Sequence, residues 1–122
     1  MSERESPLFT KSYDLLKWLL PSTAKFPKQQ RFVLARQIED AAFGFHQAIV
    51  RAGFGSRAAL ADADVYLTML RTYLRLACEL RYYSVHQYEH AARLVDEVGR
   101  LVGGWKRHLA TANHGTIGPS GP

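Results

Sequence analysis

The stretch LADADVYLTMLRTYLRLACEL, residues 60–80, decides the fold. Within it Leu60, Ala63, Leu67, Leu70, Leu74 and Ala77 recur at spacings of three and four in strict alternation, the interval at which an α-helix returns one face to a neighbour. A second line of Tyr66, Met69, Tyr73, Leu76, Leu80 and Tyr83 runs beside that seam. The helix is therefore apolar over more than one stripe and needs neighbours on two sides. A bundle interior accounts for one side, and a subunit interface would account for the other.

Outward from this segment the chain keeps the same character. Its five prolines stand at positions 7, 21, 27, 119 and 122, so nothing interrupts residues 28–118. Fifteen Leu and fifteen Ala against seven Val and three Ile favour helix over strand, because Ala and Leu lose little on entering a helix while β-branched side chains lose rotamer freedom. Four helices are predicted, at about 8–20, 27–52, 57–81 and 84–109. The first follows Ser6-Pro7 as N-cap and N1 and ends at Pro21. Phe26-Pro27 opens the second, whose inward stripe reads Phe32, Leu34, Ala35, Ile38, Ala41, Ala42, Phe45, Ala48 and Ile49, up to the break at Gly53-Phe54-Gly55. Ser56 is the expected cap of the third. Ser84 with Gln87 forms a capping box for the fourth, with Val85, Tyr88, Ala91 or Ala92, Val95, Val98, Val102 and Trp105 facing inward. Short connections make the helices antiparallel neighbours, an all-α, up-down-up-down four-helix bundle in one domain over 1–109. The Gly- and Pro-rich stretch 110–122 is predicted to be a flexible tail.

Several classes of function are disfavoured. Cys78 is the only cysteine, which precludes an intrachain disulfide or a Cys-based zinc site and suits a reducing compartment. The start, MSERESPLF, has no apolar leader core, and no run of 18 uncharged apolar residues occurs, so a cytoplasmic protein without a membrane span is expected. A carboxylate-bridged di-metal bundle needs Glu-x-x-His pairs, and none of the six Glu residues has a His three positions on. His86 and His90 are one turn apart but lack a third ligand. Cys78 lies in an apolar helical stretch without a His partner, and no Gly-rich phosphate loop or Gly-x-Ser-x-Gly occurs. No catalytic residue, metal or cofactor is expected.

The cations are more informative. The chain carries 16 Lys and Arg against 11 Asp and Glu, a net charge of +5, and eleven of the cations are Arg, the residue suited to bidentate phosphate or carboxylate contacts. Arg71 and Arg75 are one turn apart, away from the Leu seam, where like charges cost an isolated helix about 0.2–0.5 kcal/mol. Within that helix only Arg75 has an acid one turn on, Glu79. Arg36, Arg51 and Arg81 are candidates to extend the same basic surface. The alternative is a solvated face whose charges pair locally with Asp40, Asp64 and Glu79. Arg93 and Arg100, interleaved with Glu89, Asp96 and Glu97, read as an internally neutralised face and not as ligands. Gly44, Gly99 and Gly103 each cost about 1 kcal/mol relative to Ala in a helix, which close approach of a helix in the same bundle or in a neighbouring subunit would offset; for Gly103-Gly104 the alternative is a frayed helix end.

Three strings together carry a family resemblance: FPKQQRFVLARQIEDA at 26–41, LRTYLRLACELRYYS at 70–84 and QYEHAARLVDEVGRLVGGW at 87–105. In their order, FP before the second helix, LR-x-x-LR in the third and E-x-G-R-x-x-G-x-W in the fourth, the chain resembles the accessory variability determinant proteins of diversity-generating retroelements. That group lies within the wider four-helix-bundle family that includes proteins encoded in ribosomal RNA intervening sequences. The resemblance spans about residues 8–108. It implies a non-enzymatic, basic, ring-shaped homopentamer that binds the retroelement's reverse transcriptase and template RNA and supports mutagenic reverse transcription. The family's LR-x-x-LR arginines fall on Arg71 and Arg75. Tyr66, Tyr73 and Tyr82 are available for base stacking if exposed. A bundle of the ribosomal-insert branch that only scaffolds other proteins is the competing expectation.

Overall fold

The computed structural model describes the backbone of residues 6–117 and the side chains of residues 7–111. It contains four α-helices, α1 (Ser6–Thr23), α2 (Leu34–Gly53), α3 (Ala58–Glu79) and α4 (Val85–Ile117), with a single 3-10 turn at Lys28–Gln30 between the first two. Each helix packs on two others, α1 on α2 and α4, and α3 on α2 and α4. Cross-helix contacts fix the directions. Phe9 meets Gly53 and Thr23 meets Glu39. Arg51 meets Asp62 and Arg71 meets Asp96. Lys11 meets Glu97, and Trp18 meets His90. Low positions on one helix meet high positions on the next throughout, so the bundle is antiparallel and runs up-down-up-down.

The seam read from residues 60–80 is the core of α3: Leu60, Ala63, Leu67, Leu70, Leu74 and Ala77 are all buried. On α2 the buried stripe is Leu34, Ala35, Ile38, Ala41, Ala42, Phe45, Ala48 and Ile49, and on α4 it is Ala91, Val95, Val98, Val102 and Trp105. The second line on α3 divides. Tyr66, Met69 and Tyr73 are half-buried and Tyr83 is buried, whereas Leu76 and Leu80 are exposed. Gly44 is explained by this packing, since the Tyr66 ring lies across it and a Cβ there would overlap the ring. The glycine thus serves approach within the bundle.

The helix ends differ from the expected ones. Pro21 lies inside α1, which continues to Thr23. Proline removes one backbone donor, and side chains tie down the turn around it: Ser22 Oγ donates to the Leu19 carbonyl, and Thr23 Oγ1 donates to Glu39 Oε2 at 2.7 Å. Helix α2 begins at Leu34 and not near residue 27, because residues 28–33 form the 3-10 turn and further turns. Phe32, placed on the inward stripe by extending the helix back, is therefore 76% exposed. Ser56 does not cap α3; the N-cap is Arg57, with no side-chain cap hydrogen bond. The Ser84–Gln87 box forms as read, with the Ser84 N–H donating to Gln87 Oε1 at 2.9 Å and the Gln87 N–H to Ser84 Oγ at 3.1 Å. Val85 is exposed, standing ahead of the inward stripe. Helix α4 continues to Ile117, so the first part of the expected tail is helical; residues 118–122 of that tail lie outside the described residues.

Between α1 and α2, buried Ser12 shares a 2.9 Å hydrogen bond with Nδ1 of half-buried His46. Burial lowers the His46 pKa below its usual value. The unfolded chain then binds the proton more readily than the folded one, so this stabilisation is complete above about pH 6.5 and fades as pH falls through that value. Urea midpoints at pH 7.5 and 5.5 should fall more steeply with acid for the wild type than for His46→Gln. Equal slopes would contradict this role.

Candidate functional site

Arg71 and Arg75 lie on the part of α3 that turns toward α4. Arg71 Nη2 stands 3.6 Å from Asp96 Oδ1, a partner from α4 that no spacing within α3 reveals. Its guanidinium also rests on Gly99, where a Cβ would come within 2.8 Å of Nη2 and 3.8 Å of the Leu67 side chain. A second of the three glycines thus serves contact within the bundle. One turn on, Arg75 Nε donates to Glu79 Oε2 at 2.8 Å, and this bond raises the Arg75 pKa further above its usual value.

These pairs do not consume the cations. The Arg75 side chain is 73% exposed and that of Arg71 48%, and ion pairs this exposed contribute about 0–1 kcal/mol. A phosphate can displace such a carboxylate, because a guanidinium binds it through two parallel charge-assisted hydrogen bonds.

The other three candidate arginines have their own surroundings. Arg36 faces Asp40 at 3.8 Å and Arg51 faces Asp62 at 3.4 Å. Fifteen residues of α2 separate them, about 22 Å along the axis at 1.5 Å per residue. Arg51 is at the end of the bundle holding the α2–α3 turn, and Arg36 is toward the other end. Arg81 is exposed and forms no ion pair among the described residues. Its backbone has a separate role. With φ of +67°, it occupies the left-handed position after α3, where the Arg81 N–H donates to the Cys78 carbonyl and the Tyr82 N–H to the Ala77 carbonyl. That Schellman arrangement usually takes glycine.

Helix α4 corrects two further expectations. Asp96 and Glu97 do not neutralise Arg93 and Arg100; they reach across to Arg71 and to Lys11, the latter at 2.9 Å. Arg93 and Arg100 are exposed and make no ion pair among the described residues. Their neutralisation was inferred from spacing on one helix, but acids on a bundle surface can choose partners on two. Of the tyrosines considered for stacking, Tyr66 covers Gly44 and Tyr82 packs on Phe26 at 5.6 Å between centroids. Tyr88, expected on the inward stripe of α4, does not enter the core. Tyr88 is half-buried and lines a groove with Arg71 and Asp96. Its signal was the spacing Tyr88, Ala92, Asp96, one turn apart each time.

His90 stacks on Trp18 at 5.0 Å between centroids, and the His86 side chain is 99% exposed. Among the described residues no group of three His, Cys, Asp or Glu side chains is placed to hold a metal ion, and no helix is long and apolar enough to cross a membrane.

A search of curated proteins finds no match to this chain. A family model described as bAvd-like matches residues 8–109, a span that takes in α2, α3 and most of α1 and α4. The three sequence strings, the four-helix architecture and this match agree, and the chain belongs to the bAvd-like family.

Proposed function

We propose that this protein is a non-enzymatic, cytoplasmic accessory factor that binds the reverse transcriptase of a diversity-generating retroelement and its template RNA. In this reading it supports mutagenic reverse transcription, and Arg71 and Arg75 on the α3–α4 face supply the phosphate contacts. The observation that carries the reading is the family match over 8–109, which spans nearly the whole bundle. Exposed, weakly held guanidiniums at the positions of the family's LR-x-x-LR arginines support it physically. The working form is a ring-shaped homopentamer, in which a net charge of +5 per chain repeats around one assembly. Exposed Leu76 and Leu80 on α3 provide apolar surface for such contacts.

Binding of a labelled, unstructured RNA followed by anisotropy from 50 to 300 mM salt tests the reading. Affinity should fall steeply and linearly on logarithmic axes as counterions are released, and the reverse transcriptase should be captured on co-expression. A second reading, a scaffold that binds no nucleic acid, draws support from the carboxylates already within 4 Å of Arg36, Arg51, Arg71 and Arg75. It predicts no salt-dependent RNA binding at micromolar protein.

A further inference from the structure

Between α3 and α4 lies a groove of about 180 Å³, lined by Arg71, Leu74, Tyr88, Ala92, Val95 and Asp96. Buried Leu74 and Val95 make its floor apolar. Along α4, Tyr88, Ala92 and Asp96 succeed one another at one-turn intervals. The ring thus stands at one end, the Arg71–Asp96 pair at the other, and a residue with only a methyl side chain lies between. Arg75 is close enough to Tyr88 for the two to interact electrostatically. The Tyr88 hydroxyl forms no hydrogen bond among the described residues, and the ring is half-buried against the core.

The chemistry of these walls selects among ligands. An inorganic anion would use Arg71 but meet the Asp96 carboxylate and leave the ring and floor idle. A purely apolar ligand would cover the floor and strand both charges. A nucleotide uses every element: its base has a π-face for the ring and the apolar floor, its amino and imino groups donate to a carboxylate, and its phosphates suit guanidiniums. A paired base in a duplex presents neither its face nor its pairing edge. We propose that this groove receives one unpaired base of a single-stranded nucleic acid, stacked on Tyr88, with the flanking phosphates on Arg71 and Arg75. This rests on the RNA-binding reading above and adds to it a stacking residue and a preference for unpaired strands.

The test uses the full chain with two labelled RNAs, an unstructured 12-mer and a hairpin duplex of similar charge, each titrated across salt. Tyr88→Leu should weaken single-strand binding on the order of 10- to 100-fold, as expected for one lost base–aromatic stack. The salt slope should not change, because stacking releases no counterions. Tyr88→Phe should bind like the wild type, and duplex affinity should be the same for all three. Ala92→Leu fills the slot without touching the ring and should reproduce the loss, which separates occlusion of the groove from misfolding of a Tyr88 variant. If wild-type RNA binding is salt-dependent but indifferent to both Tyr88→Leu and Ala92→Leu, the stacking site is overturned and the basic-surface reading stands. Loss of reverse-transcriptase capture with RNA affinity unchanged would overturn it in favour of a protein contact. Absence of any salt-dependent RNA binding by the wild type would overturn both.

Discussion

Tyr83→Ala is expected to destabilise the bundle by about 3–5 kcal/mol, the range for truncating a large buried aromatic, and to lower the melting temperature by roughly 10–20 °C. Tyr83 is 2% exposed and among the largest fully buried side chains. Trp18 packs on it at 5.7 Å and Phe26 meets it edge-on at 4.9 Å between centroids. Its hydroxyl lies 2.6 Å from Ser22 Oγ. Burial pushes its pKa up to about 12, against the opposing pull of the Ser22 hydrogen bond. The residue stands two positions after the left-handed Arg81, so it pins the α3–α4 connection to the end of α1. Tyr83→Phe keeps the ring and removes one hydrogen bond, at a cost of about 1 kcal/mol. Urea unfolding at fixed protein concentration measures both. A loss below 1 kcal/mol for Tyr83→Ala would mean that the aromatic cluster does not hold the helices together.

The basic surface itself is probed by Arg71→Ala with Arg75→Ala. Both side chains are exposed and their ion pairs weak, so the double variant should keep wild-type helicity, assembly mass and unfolding midpoint to within about 1 kcal/mol. RNA affinity should nevertheless fall on the order of 10-fold near 0.1 M salt, because two phosphate contacts per chain are lost. An unchanged fold beside a weakened complex would separate a binding role from a structural one.

The core was legible because its signal is periodic. The alternation from Leu60 to Ala77 admits one inward face, and the Ser84–Gln87 box marks the start of α4 by local hydrogen bonding. What failed depends on information that a helical wheel lacks. Phe32 was placed inward by running a helix back to Pro27, but residues 28–33 turn instead of following a 3.6-residue period. The turn at Arg81 carries no glycine to announce it. Of the candidate site, Arg71 and Arg75 were legible as a like-charge pair that does not serve helix stability. Asp96 as the partner of Arg71, Gly99 as its seat and Tyr88 as a wall of the same groove depend on the register of α4 against α3. Spacing within either helix does not contain that register.

The most direct measurement of the central claim is the slope of log affinity against log salt for a single-stranded RNA, compared between the wild type and the Arg71→Ala, Arg75→Ala double variant. Each phosphate contact on a single strand contributes about 0.7 to that slope. The account predicts that the double variant's slope is shallower by about 1.4 for each chain whose arginines contact the strand. Equal slopes and equal affinities would contradict it and leave Arg71 and Arg75 as parts of a solvated, locally paired surface.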